Sequence, residues 1–158
     1  MHRAMLLDTF VHMPPLNLLE GLSPEDAARK PAEGVHSIAE ILAHAQFWQH
    51  WWLNRCDGLN EPMVGAAHLG WPAASAADWP RLVEAFTADL HRAVAMSEDA
   101  AKLGAKVTPA IEFPPLANHT IGEALVHIAQ HNAHHLGQIV ILRQLTGDWP
   151  PPQGSWTW

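Results

Sequence analysis

One stretch limits what this chain can fold into more than any other: Thr120 to Leu145, TIGEALVHIAQHNAHHLGQIVILRQL, in which His127, His131, His134 and His135 sit within a strongly apolar helical pattern. Thr120 and Glu123 have the spacing of a capping box, so a helix is expected to begin there. It is expected to stop near Gly147, with Pro150, Pro151 and Pro152 just beyond. At about 100° per residue, Ile121, Ala124, Leu125, Ile128, Ile139 and Leu142 share one face, and His131 and His135 fall inside it. His127 and His134 point to one side and read as flanking or surface residues.

A buried imidazole needs a partner, because an unpaired buried polar group costs about 1 to 3 kcal/mol. The i, i+4 spacing of His131 and His135 puts both rings on the same side of the helix, as in the HExxH metalloenzymes. The competing reading, core histidines bonded to backbone or water, suits a lone histidine better than this pair. No Glu stands between the two, since positions 132 and 133 are Asn and Ala. That disfavours peptidase-like chemistry and leaves no obvious general base.

A second helix is predicted from the capping box of Ser37 and Glu40 to about Arg55, with Ile38, Ile41, Leu42, Ala45, Trp48 and Trp52 on its core face. His44 lies at the margin of that face, and His50 lies elsewhere and reads as solvated. A metal gripped by two imidazoles on one helix needs a ligand from another, which raises the weight of His44. His12 and His36 lack spaced partners on their own elements and are weak ligand candidates.

Elsewhere, Pro14 and Pro15 make a helix within residues 2–20 short or kinked, with apolar positions at Met5, Leu6, Thr9, Val11 and Met13. Ser23, Pro24 and Glu25 start a brief helical turn, expected to end at Pro31 and Gly34. Residues 57–79, rich in Gly, Pro, Ala and Asn, form a long crossover loop in which His68 and Trp71 read as exposed by default or bordering the site. A third helix follows from Asp78 or Trp79, with Leu82, Val83, Phe86, Leu90, Ala93 and Val94 at core spacing. Val107 to Phe113 are expected to be extended or a hairpin remnant, and Trp149, Trp156 and Trp158 to pack back onto the body or a partner. Gly137 is expected to admit a neighbouring helix or Trp side chains, and Asn132 and Gln138 are candidates to orient the histidine rings.

With 158 residues, one domain spanning 1–158 is expected. The eight Trp point to a cleft or interface lined by several of them. A net charge of −7 without any Lys/Arg cluster argues against nucleic acid as a partner. No apolar run is long enough for a membrane span or a signal core, and Cys56 has no second cysteine to pair with, so a soluble, cytoplasmic protein is expected. Cys56 itself reads as an inert helix-end residue.

Four helical segments, with HSIAEILAH from His36 to His44 and HIAQHNAHHLGQI from His127 to Ile139, resemble the DinB/YfiT-like superfamily, whose members are regarded as metalloenzymes. The resemblance covers nearly the whole chain. It implies an all-α four-helix bundle of up-down-down-up topology with a long crossover between helices 2 and 3. By motif it implies His44, His131 and His135 as metal ligands, the three that the helix wheels favour. It also implies a homodimer and, from relatives of known activity, a thiol-dependent transferase or isomerase or a metal-dependent hydrolase.

Three neutral imidazoles leave a divalent cation with an open position, suited to activating a water or a low-molecular-weight thiol against a small-molecule substrate. Zinc or nickel is favoured, with iron and manganese open. The alternative from another class is a non-catalytic helical bundle in which the metal, or another small ligand, is structural. Haem ligation would need far more room in the core.

Overall fold

The computed structural model describes residues 2–7 and 13–154. Regular structure among them is helical: α1 His2–Leu7, α2 Pro15–Leu19, α3 Pro24–Ala28, α4 Ile38–Cys56, α5 Trp79–Glu98, α6 Ala100–Leu103 and α7 Ile121–Thr146. Both expected capping boxes form. Ser37 Oγ accepts from the Glu40 amide at 3.2 Å while Glu40 Oε2 accepts from the Ser37 amide at 2.9 Å. Thr120 and Glu123 make the same exchange at 3.2 and 2.8 Å. At the far end of α7, Gly147 takes the left-handed conformation at φ 84° and its amide bonds to Arg143 O.

The core forms where α4 packs on both α5 and α7, with α1 against α5 and α7. Trp52, Leu42, Phe86, Leu90, Leu125, Ile128 and Ile139 are fully buried there. The faces read from the sequence are largely the buried ones, with Met5, Trp48, Val83 and His131 only partly covered. Two buried arginines tie irregular segments to this core. Arg143 Nη1 donates to Leu18 O and Glu20 O, holding α2 onto α7. Arg55 Nη2 donates to Pro109 O and Ala110 O, and its Nη1 to Asn60 Oδ1, so one guanidinium fastens both long connections. Each satisfies several backbone carbonyls at once, which a planar five-donor head does well.

Several expectations need revision. The turn begun by Ser23 ends at Ala28, before Pro31, because the Arg29 amide closes back on Asp26 O in extended geometry. The stretch after Gly104 keeps a hairpin remnant and no full strand: Lys106 and Thr120 form an isolated antiparallel bridge, with the Val107 amide donating to His119 O at 2.9 Å. The 57–78 connection is a long irregular one, as expected, with two 3-10 turns, Ala67–Gly70 and Ala76–Asp78. Among the described residues, nothing lies within 4 Å of where the Cβ of Gly137 would stand. Trp149 packs against the core as expected. Thr9, Val11, His12, Trp156 and Trp158 lie outside the described residues. No helix among the described residues is long and apolar enough to cross a membrane.

Candidate metal centre

α4 and α7 carry the site on facing sides. One nitrogen each from His44, His131 and His135 lie within 4.8 Å of one another. The ring centroids stand 5.0 Å apart for His44 and His131, 4.6 Å for His44 and His135, and 4.5 Å for His131 and His135. The i, i+4 pair on α7 therefore meets the α4 histidine, which is buried at 6 % exposure instead of lying at a face margin.

Hydrogen bonds orient two of the rings. The Nδ1 of His44 lies 2.6 Å from Gly70 O. A carbonyl only accepts, so this Nδ1 carries the proton and Nε2 keeps its lone pair. The Nδ1 of His135 lies 2.8 Å from Gln138 Oε1, with the same consequence. Gln138 is thus a ring-orienting group. Asn132 is not: its Nδ2 donates to Gln49 Oε1 at 2.6 Å, and Gln49 Nε2 donates to Phe86 O, so Asn132 links α7 to α4 and α5 instead.

The crossover loop adds what the sequence left open. Gly70 lies against the Trp48 indole, where a Cβ would come within 2.7 Å of Nε1, so only glycine lets the backbone lie this close and aim its carbonyl at His44. Trp71 then stacks on His44 at 3.7 Å and 7°, and on His36 at 4.1 Å and 12°. His36, whose Nδ1 lies 3.5 Å from Glu40 Oε2, belongs to this aromatic stack and not to the three-histidine cluster. His68 is exposed in the preceding turn, and His127 and His134 are exposed on α7.

Electrostatics favour neutral rings. Burial pushes His131 down to about 3, helped by the charges that His135 and His44 would carry. Burial also lowers His44 and His135, opposed in part by the bonds to Gly70 and Gln138. Neutral imidazoles with free Nε2 lone pairs are the form a cation binds. Nitrogens about 2.1 Å from a tetrahedral metal stand roughly 3.4 Å apart, within the spread of this cluster. The donor set fits a borderline divalent cation. Beside it runs a groove of about 390 Å³, walled by Val35, Ile41, Trp71, Ile141 and Leu142 and reaching Gln138 and His36.

A family model for the DinB superfamily matches residues 15–139, a span that contains all three histidines. The chain belongs to the DinB superfamily. No curated protein and no solved structure matches it. For this DinB chain, Gly70 is the site residue that sequence reasoning missed, while Trp71, read as exposed by default or bordering the site, stacks on His44. The signal was a glycine beside a tryptophan in a loop that follows a histidine-bearing helix, which has meaning only once the loop's path is known. Cys56 ends α4, and burial raises its thiol to about 12, consistent with an inert residue.

Proposed function

We propose that this DinB-superfamily protein holds one divalent cation, zinc or nickel, on His44, His131 and His135, and is a transferase or hydrolase acting on an electrophilic small molecule, with a low-molecular-weight thiol as cosubstrate in the transferase case. The observation that carries this reading is the pair of Nδ1 hydrogen bonds, to Gly70 O at 2.6 Å and Gln138 Oε1 at 2.8 Å, which leave Nε2 of two clustered rings as lone-pair donors. A cation held by three neutral imidazoles is a Lewis acid that lowers the pKa of a water or thiol in its open position.

The chain's own residues supply the rest. The groove beside Gln138 receives the substrate, its apolar walls excluding water from the reacting groups. His36, at the rim with Glu40 on its Nδ1 side, is the groove residue that can carry a proton. In the same reading α1, α4, α5 and α7 are the members of an up-down-down-up four-helix bundle, with residues 57–78 as its crossover. A homodimer in the cytoplasm completes the proposal, and light scattering after size exclusion tests the dimer.

A second reading, a structural cation that ties α4 to α7, draws support from the burial of His44 and His135, at 6 % and 5 % exposure. Cobalt substitution separates the two. With Co²⁺ loaded, 2-mercaptoethanol added in steps should change the visible spectrum saturably and introduce a sulfur-to-cobalt charge-transfer band. A spectrum indifferent to the thiol would mean a closed, structural site.

A further inference from the structure

A second arrangement of polar groups lies on another side of α4. His50, six residues after His44, is about 120° away around the helix. Its Nδ1 is 2.7 Å from Asp89 Oδ2, a carboxylate buried at 7 % exposure in the middle of α5. Asp89 also accepts from Gln46 Nε2 at 2.8 Å and from Arg92 Nη1 at 3.3 Å. A carboxylate flanked by three donors is held in place, and its bond to Nδ1 fixes a proton there, so that in the neutral ring Nε2 of His50 is an oriented acceptor, on a side chain that is 53 % exposed.

That imidazole opens onto a cleft of about 290 Å³ with Phe47, Trp51, Ala73, Ala74 and Leu82 among its walls. A cavity of about 150 Å³ is enough to hold a benzene molecule, so a substituted single ring fits here. Glu61, Asp78 and Arg81 also line the cleft, so it carries charges of both signs and a neutral ligand is favoured over an ionic one. We infer that this cleft is a second ligand site, distinct from the histidine cluster, for a small neutral aromatic molecule whose hydroxyl donates to Nε2 of His50. The crossover loop separates the two sites: Gly70 and Trp71 face the cluster, and the next residues, from Pro72 to Ala74, wall the cleft.

The test is a titration of the full chain with phenol, followed through the imidazole nitrogen resonances, with anisole as the same ring lacking a hydroxyl donor. Phenol should shift the His50 Nε2 resonance saturably while the rings of His44, His131 and His135 stay put, and anisole should bind at least fivefold more weakly. Ala73→Trp, a change in the exposed loop that fills the cleft, should weaken phenol at least fivefold with the fold retained. His50→Phe, which keeps the wall and removes the acceptor, should do the same. A His50 resonance indifferent to phenol, anisole binding as well as phenol, or phenol binding to Ala73→Trp as to the wild type would each overturn the assignment.

Discussion

Gly70 and His44 are joined by a hydrogen bond of 2.6 Å, from imidazole Nδ1 to the Gly70 carbonyl, that links the crossover loop to the centre of α4. It sets the tautomer of His44, and the Trp71 ring stacked at 3.7 Å keeps the imidazole from turning away. The loop that the sequence marks as irregular, with Trp71 at most bordering the site, therefore helps to orient the ligands, and partners of this kind commonly matter about 10- to 100-fold in metal affinity.

Gly70→Ala tests that coupling. The added Cβ would stand 2.7 Å from Trp48 Nε1 and 2.9 Å from Cε2, so loop or indole must move. Metal affinity should fall about 10-fold or more, measured by competition with a chromogenic chelator. Wild-type affinity in the variant would detach the loop from the centre.

Gln138 and Asn132 should separate cleanly. Gln138→Leu removes the acceptor of His135 Nδ1 and should weaken metal binding about 10-fold at near-constant stability. Asn132→Ala leaves Gln49 Oε1 without its buried donor and should cost about 1 to 3 kcal/mol in urea denaturation. Metal stoichiometry should be unchanged in that variant.

Gly137 is exposed within α7, with open space where a Cβ would go. Gly137→Ala should raise stability by roughly 0.5 to 1 kcal/mol through helix propensity, read as an increase in Tm. A loss of stability would mean that the glycine has a packing role after all.

Acid should destabilise the metal-free protein earlier than its carboxylates alone would. His131 is lowered from 6.5 to about 3, chiefly by burial. The unfolded chain therefore binds a proton between those values that the folded chain refuses, and stability falls as pH drops through that window. Urea midpoints at pH 7.5, 5.5 and 4 should decline in that order, and less steeply in His131→Gln.

Helix periodicity made most of this architecture legible. Capping boxes mark where α4 and α7 start, Gly147 where α7 stops, and the i, i+4 rule puts His131 beside His135. His44 could be placed on its helix but not at its depth, because burial at a face margin depends on which neighbour covers it. The loop residues were opaque for a different reason: a carbonyl acceptor such as Gly70 O has no side-chain signature. Asp89 was missed because a lone acid on an amphipathic helix looks solvated until Gln46 and His50 are seen across from it. Gly137 meets no neighbour among the described residues, since a helical glycine signals close packing only if something is there to pack.

The most direct test of the central claim is metal content per chain, by elemental analysis, in wild type and His131→Ala after reconstitution with Zn²⁺ or Ni²⁺. The account predicts about one ion per wild-type chain, by three ligands and one open position, and loss of that ion in a variant that keeps its helical circular dichroism. A wild-type chain that takes up neither metal, or a variant that binds as much as wild type, would contradict it.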